Sequence, residues 1–399
     1  MRIGRAVAVV GVGVALLAGG MPTRAWCAEP YFKIEVVNGP DEAFTYCHSP
    51  TIVQLANGDL LCAWYAKEEH GDKQERYCRK PAGESSWTPP KVLVDTPGLD
   101  DWNPVLWQDP TGKVWCFYAR ESKNPLVARG KDGRAVETNS AYLTAQVDAI
   151  TSTDDGATWS EPARLVEGVG YWVRCAPLVT SKGAWIVPGY DERDWTSHMY
   201  ISTDQGAAWE VSESIATGDG YRASPIQPSV IELSDGRLRA LCRIGYWVPS
   251  SLFSGRREWK TDKTQHIQES YSSDDGRTWS KPKAIGLPNG DASVAQCKLK
   301  NGHVVLIFNN SFDLRTPVSA ALSRDEGATW AAVRDLEVAE GANRLDYPSV
   351  IQTADGLIHA VYRNRADMRI KHVVFDEEWV AAEAAEKGSS EEQEVRREE

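Results

Sequence analysis

The amino-acid sequence predicts an all-β protein folded as a six-bladed β-propeller. Three observations predict this fold. A box of the form S-x-D-x-G-x-T-W occurs four times, with Ala for Thr in one copy; six apolar hairpins alternate with the boxes; and the chain has 16 Trp and 32 Gly residues. A repeated supersecondary unit of this kind is typical of sheets arranged radially around an axis.

The first repeated unit is the box, which spans 152–159, 202–209, 272–279 and 323–330. In each copy an Asp is followed two residues later by Gly. The carboxylate is therefore expected to accept backbone N–H hydrogen bonds, and the Gly to supply a positive φ. The Trp that ends each box is expected to pack beneath the turn. Degenerate copies lie at 83–87 and 375–379.

The second unit is a pair of apolar strands joined at a turn that contains Gly. Its copies span 49–65, 103–118, 176–190, 227–243, 293–309 and 347–363. Asn-Gly and Asp-Gly between apolar runs are strong hairpin signals. Six hairpins that alternate with boxes, at intervals of about 50 to 70 residues, predict six four-stranded sheets. Residues 29–380 are thus expected to form one domain.

Both chain ends differ from this domain. Arg2 and Arg5 precede an apolar stretch of small residues at 6–20, which is typical of a signal peptide, with cleavage expected after Ala25 or Ala28. The stretch is too short for a comfortable membrane span. Residues 1–28 are therefore predicted to be removed from an exported protein, periplasmic or extracellular. Residues 381–399 are charged and low in complexity, which predicts a disordered tail.

Composition and cysteine spacing exclude several classes of function. A net charge of -12 argues against nucleic-acid binding, which needs a basic surface. Cys62, Cys116 and Cys242 lie in apolar runs, so we expect buried free thiols there. No Cys or His cluster has the spacing of a zinc site, and the sequence indicates neither a metal nor a cofactor. It leaves the oligomeric state open.

Strand direction places the polar residues that border the hairpins. If the box and hairpin turns mark one face of the propeller, each hairpin begins and ends at the other face. Polar and ionisable residues are concentrated at these ends, and they include His48, Asn103, Arg174, Gln227, Arg243, Tyr347 and Arg363. Because the inner strands converge on the propeller axis, these side chains are expected to share one pocket.

The box in alternation with these hairpins resembles the sialidase (neuraminidase) superfamily of Asp-box propellers, over nearly the whole mature chain. The resemblance implies that the boxes are structural. It also implies three arginines that clamp a sugar carboxylate, a Tyr nucleophile assisted by a Glu, and an Asp acid/base. Position by position, Arg243 resembles the second arginine, Arg315 the third, and Tyr347 the nucleophile.

The sequence departs from that pattern at three positions. His48 stands where the family has its first arginine, Gln227 where it has the assisting Glu, and Arg363 where it has a further Glu. The acid/base is expected in the loop 67–72, where Asp72 is the candidate. Arg174 and Asn103, at the starts of other hairpins, are candidate substrate contacts.

Three functions follow from this pattern. The leading interpretation is an exo-glycosidase that removes an acidic, sialic-acid-like sugar from a glycan or oligosaccharide. The closest alternative is a uronate lyase, in which His48 removes a proton beside a carboxylate that the arginines neutralise. A glycan-binding propeller without catalysis is the third.

Overall fold

The computed structural model describes residues 29–39, 45–69, 71–122, 127–129, 135–137, 141–217, 224–245, 265–341 and 343–382. The predicted signal peptide and nearly all of the predicted charged tail lie outside these ranges. Within them the chain is almost entirely β-structure, and the six predicted sheets are present. The prediction of a six-bladed propeller is confirmed.

The first three sheets follow one another along the chain. The first contains β2 (Tyr46–Gln54), β3 (Leu60–Lys67), β4 (Gln74–Lys80) and β5 (Lys91–Val94). The second contains β6 (Leu99–Gln108), β7 (Val114–Ser122), β10 (Gln146–Ser152) and β11 (Ala163–Arg164); the pair β8 (Val127–Arg129) and β9 (Ala135–Glu137) and a 3-10 turn (Ala141–Thr144) lie between β7 and β10. The third has five strands, β12 (Tyr171–Val173), β13 (Leu178–Val179), β14 (Trp185–Asp191), β15 (Thr196–Ser202) and β16 (Glu210–Val211).

The other three sheets complete the ring. The fourth contains β17 (Ser224–Glu232), β18 (Leu238–Gly245), β19 (His266–Ser272) and β20 (Lys283–Pro288). The fifth contains β21 (Ala295–Lys298), β22 (Val304–Asn309), β23 (Val318–Ser323) and β24 (Ala332–Glu337). The sixth contains β25 (Leu345–Gln352), β26 (Ile358–Asn364) and β27 (Arg369–Phe375), and its outer strand is β1 (Phe32–Val36) from the N-terminal end of the domain.

The ring is closed by strand pairing between its two ends. β1 pairs antiparallel with β27, with Phe32 opposite Phe375. A helical turn at 377–382 follows, and Trp379 stacks on Phe32 at 4.3 Å between ring centroids. Residues near both ends of the domain are therefore held in the same blade.

Each box forms the predicted turn. In the first box, the Ser152 hydroxyl accepts from the Gly156 N–H at 2.8 Å, and the Asp154 carboxylate accepts from the Thr158 N–H at 2.9 Å and from its hydroxyl at 2.6 Å. Gly156 has φ +77°. Trp159 packs against the apolar cluster between the first two blades. The boxes therefore fix the outer turns of the blades.

The turns of neighbouring blades meet on one face, as predicted. Asn57, in the first hairpin turn, donates to the carboxylate of Asp155 in the next blade's box at 3.4 Å. Ser234, in the fourth hairpin turn, likewise donates to the Glu326 carboxylate at 2.8 Å. The hairpin ends therefore lie on the opposite face. The seven described cysteines are free thiols, and those at 62, 116 and 242 are buried as predicted.

A bulge interrupts the inner strand of four blades immediately before its proline. The residues before these prolines have positive φ: Ser49 (57°), Asn103 (53°), Gln227 (57°) and Tyr347 (59°). Register shifts occur at the same points. A bulge places two residues opposite one and redirects a side chain. In these four inner strands the bulge therefore changes the direction of the side chain before the proline.

Candidate functional site

Side chains from four other blades surround Tyr347 at the face opposite the turns. The guanidinium carbons of Arg174, Arg315 and Arg243 lie 5.3, 5.6 and 5.9 Å from its ring centroid. The His48 ring lies 4.0 Å away and meets it edge-on. Gln227, from the fourth blade, lies close enough to lower the pKa of the phenol. The structure thus brings together most of the residues that the sequence predicted for one pocket.

Arg243 makes the most direct contact with the phenol. Its Nη1 donates to the Tyr347 hydroxyl oxygen at 3.1 Å and to the backbone carbonyl of Asp291 at 3.4 Å. Its Nε lies 3.6 Å from the Asp291 carboxylate. Only 5% of Arg243 is exposed. A buried guanidinium next to a phenolic oxygen stabilises negative charge on that oxygen.

Arg315 and Arg363 share a carboxylate that the sequence did not single out. Asp346 is fully buried, and Nη1 of Arg315 and Nη2 of Arg363 each lie 2.8 Å from one of its oxygens. Burial acts to raise the pKa of Asp346, but the guanidiniums of Arg363 and Arg315 hold it below its ordinary value. Asp346 is therefore an anion that neutralises part of the arginine cluster. Its position directly before Tyr347 is the signal that could have identified it.

The ionised groups around Tyr347 leave positive charge in excess. Four guanidiniums, of Arg174, Arg243, Arg315 and Arg363, face the carboxylates of Asp291 and Asp346, and the charge of a third carboxylate, Glu192, also acts on Arg243. Burial alone raises the pKa of a phenol, yet that of Tyr347 is lowered, because Arg243 and Arg315 lie beside it. The pocket is therefore suited to an anionic ligand, and to a phenolate.

His48 is held neutral in this environment. The side chain is 6% exposed, and its Nδ1 has no hydrogen-bond partner among the described residues. Burial lowers the pKa of the imidazole well below its ordinary value, and the positive charges of the four arginines lower it further. A neutral imidazole can accept a proton. His48 is thus a candidate base beside Tyr347.

Gln227 and Asn103 meet at a tyrosine that the sequence placed at the end of the third hairpin. Their side-chain amides donate to the Tyr190 hydroxyl at 3.3 and 3.2 Å. Gln227 thus lies beside Tyr347, where the family resemblance implies the assisting Glu. Because an amide is not a base, Gln227 can orient the phenol but cannot take its proton.

Arg174 and Asp72 both bind backbone groups. Arg174 is 2% exposed, and its Nη2 donates to the backbone carbonyls of Tyr347 at 2.5 Å and of Pro348 at 2.8 Å. It therefore supports the strained backbone that carries the phenol. The Asp72 carboxylate accepts from the backbone N–H of Gly98 at 2.9 Å, in the connection between the first two blades.

Known proteins resemble this chain over most of its length. The model of the BNR repeat-like domain family matches residues 58–360. The chain belongs to this family. A sialidase of Bacteroides fragilis is 26% identical over 285 residues, which are 66% of this chain and 45% of the relative, so the chain spans under half of that relative's length.

Two solved structures share the fold. A protein of unknown function from Dyadobacter fermentans superposes with a TM-score of 0.67 at 18% identity, covering 86% of this chain and 99% of that one. The intramolecular trans-sialidase of Ruminococcus gnavus superposes with a TM-score of 0.65 at 14% identity, covering 84% and 96%. At these identities the likeness shows the fold of this BNR repeat-like protein. Among its described residues, no helix is long and apolar enough to cross a membrane.

Proposed function

We propose that this protein is an exo-glycosidase that removes an acidic sugar from a glycan, with Tyr347 as the nucleophile. One observation carries the proposal: the phenolic oxygen lies 3.1 Å from a buried guanidinium nitrogen of Arg243, in a pocket where positive charge is in excess. The sialidase activity of the Bacteroides fragilis relative supports the same class of substrate.

In this mechanism the arginines bind the substrate carboxylate and Tyr347 attacks the anomeric carbon. Charge-assisted hydrogen bonds from guanidiniums to a carboxylate fix the orientation of the sugar as well as its affinity. The phenolic oxygen displaces the leaving sugar, and water then displaces the phenol. Two displacements at one carbon retain the anomeric configuration.

The phenolic proton must leave before or during the attack. Gln227 cannot accept it, whereas the neutral ring of His48 lies against Tyr347. His48 is thus the proposed base for this proton. His48→Ala should lower kcat/KM by roughly 10²–10⁴-fold, the usual contribution of a positioned acid or base.

The test is to trap the covalent intermediate. A 2,3-difluoro derivative of a sialic acid should label the wild-type protein, and peptide mass spectrometry should place the label on Tyr347. Tyr347→Phe should give no label and no turnover. Labelling of another residue, or an inverted anomeric product, would overturn the proposed nucleophile.

A uronate lyase is the second candidate, and the uncharged state of His48 favours it. A neutral imidazole next to a cluster of guanidiniums can remove the proton beside a carboxylate that those guanidiniums neutralise. The product would be an unsaturated uronate that absorbs in the near ultraviolet. Such a product without labelling of Tyr347 would replace the glycosidase proposal, and binding of acidic glycans without turnover would leave a binding propeller.

We also propose that the protein is exported, from the signal-peptide pattern of residues 1–28. The N-terminal sequence of the protein purified from its native host should begin after Ala25 or Ala28. A protein that retains Met1 or begins at Arg2 would contradict export by this signal.

A further inference from the structure

A turn directly before the inner strand of the fifth blade joins two arginines of the Tyr347 pocket. Nη1 of Arg243 donates to the backbone carbonyl of Asp291 at 3.4 Å, and Nη2 of Arg315 donates to the same oxygen. Arg243 lies on β18 of the fourth blade, and Arg315 lies between β22 and β23 of the fifth. One residue of the turn therefore holds guanidiniums from two blades side by side.

The sequence of this turn, Asn289-Gly290-Asp291-Ala292, accounts for its shape. The Asn289 side chain closes the turn, because its Nδ2 donates to the Ala292 carbonyl at 2.9 Å and its Oδ1 accepts from the Ala292 N–H at 3.2 Å. A Cβ at Gly290 would clash with the backbone carbonyl of Leu314, so glycine lets the turn lie directly on the neighbouring loop. Asp291 has φ 54°, in the left-handed region that Asp and Asn adopt more readily than most residues. The position of the Asp291 backbone is therefore fixed by the turn itself.

The Asp291 carboxylate faces the same two guanidiniums at distances longer than a hydrogen bond. Its Oδ1 lies 3.6 Å from Nε of Arg243, and its Oδ2 lies 3.8 Å from Nη2 of Arg315. The Asp291 Oδ1 and the Arg243 Nε are both buried, and neither has a hydrogen-bond partner among the described residues. The carboxylate thus reduces the positive charge of the arginine pair through space, while the N–H of Arg243 Nε is not used in a hydrogen bond to it.

We propose that Asp291 is an internal counter-anion of Arg243 and Arg315, and that its carboxylate limits how tightly the pocket holds an acidic sugar. This inference rests on the proposed function. The carboxylate of a bound sugar would approach the same two guanidiniums, so the Asp291 carboxylate would repel it at close range. The sugar that the proposed reaction releases keeps its carboxylate. A residue that weakens this binding without removing a guanidinium therefore favours release of the product.

The charge of Asp291 can be removed without removing the carbonyl that the arginines bind. In Asp291→Asn the side chain keeps its shape and tolerates the positive φ, and in Asp291→Gly the backbone adopts that φ without strain. Both variants keep the backbone oxygen that accepts from Arg243 and Arg315. Asp346 differs in this respect, because it forms ion pairs of 2.8 Å with Arg315 and Arg363, so loss of its charge would also free both guanidiniums.

The test measures binding of a free sialic acid and of its methyl ester, which is the same sugar without the charge, by calorimetry. We expect Asp291→Asn and Asp291→Gly each to lower the Kd of the acid by about 10-fold or more, and to change that of the ester by less than about 2-fold. Inhibition of turnover by the free acid should strengthen by the same factor, and kcat should not rise. Asp313→Asn is the matched control, because it removes one negative charge from an exposed side chain in the loop before Arg315; it should leave both Kd values unchanged.

A gain in affinity cannot come from a damaged fold, so the expected result separates this role from a structural one. Unchanged or weaker binding of the acid by Asp291→Asn, an equal gain for the ester, or an equal gain in Asp313→Asn would each overturn the role of Asp291 while leaving Tyr347 as the proposed nucleophile. If Asp291→Asn does not fold, the same outcomes are decided by Asp291→Gly. A wild-type protein that binds the acid no better than the ester would overturn the proposed function, and with it this inference.

Discussion

A buried pair of histidines at the closure of the ring predicts a specific dependence of stability on pH. His359 on β26 and His372 on β27 are linked at 2.9 Å between Nδ1 and Nε2, and Nδ1 of His372 lies 2.9 Å from the Glu35 carboxylate on β1. Glu35 also binds Lys80 and Trp87. One chain of hydrogen bonds therefore crosses the three strands that close the propeller.

The expected change in the free energy of unfolding follows from the pKa of His359. Burial lowers its pKa to about 3, from 6.5, and the neighbouring charge of His372 adds to the effect. A group whose pKa is lower in the folded state stabilises the fold fully above its unfolded pKa, and that stability is lost as the pH falls below 6.5 toward 3. Because pH 5.0 lies about 1.5 units below the unfolded pKa, the stability lost at that pH is about 2 kcal/mol. Burial also lowers the pKa of His372, but its hydrogen bond to Glu35 opposes this.

The assay is urea unfolding, followed by Trp fluorescence, at pH 7.5 and 5.0. His359→Gln removes the titration, so the difference in free energy of unfolding between wild type and variant should shift by about 2 kcal/mol in favour of the variant at the lower pH. Val338→Thr, at an exposed position without a titratable group, should show no shift. A wild-type-minus-variant difference that is the same at both pH values would refute the reasoning.

Three further predictions concern single positions. Arg243→Met should weaken binding of a carboxylated sugar by about 2–3 kcal/mol in calorimetry, and a neutral analogue should bind poorly to the wild type. Gly327→Ala should lower the melting temperature more than Gly302→Ala: both have positive φ, but a Cβ at 327 would clash with the buried Arg239 guanidinium, whereas that at 302 meets nothing within 4 Å. The stability of Glu75→Gln relative to wild type should increase as the pH rises from 4.5 to 7.5, because burial raises the pKa of Glu75 well above its ordinary value and the carboxyl group then ionises in the unfolded state first; urea unfolding at the two pH values would show it.

The architecture could be predicted because its signals are local and repeated. Each box contains its own turn, and Asn-Gly or Asp-Gly marks most hairpins, so short segments determine where strands begin and end. Closure of the ring was not predicted. β1 has no box or hairpin turn of its own, and its pairing with β27 joins residues such as Phe32 and Phe375 that are more than 300 positions apart.

The site was predicted in part, because the ends of strands can be located but side-chain partners cannot. The sequence placed His48, Gln227 and Tyr347 in one pocket, and the structure brings them together. The sequence did not show that Asp346 neutralises Arg315 and Arg363, since the contact with Arg315 joins neighbouring blades.

The bulges explain a difference between two of the pocket's arginines, Arg243 and Arg363. In the fourth and sixth blades the residue before the bulge pairs across the hairpin with an arginine: Ile226 with Arg243, and Asp346 with Arg363. Arg363 therefore has a carboxylate opposite it, at 2.8 Å, whereas Arg243 has an aliphatic side chain opposite it and the Asp291 carboxylate only at 3.6 Å. Of these two cations, the one that is less neutralised offers more to an incoming carboxylate. Arg243 rather than Arg363 is thus the residue on which recognition of an acidic sugar should depend.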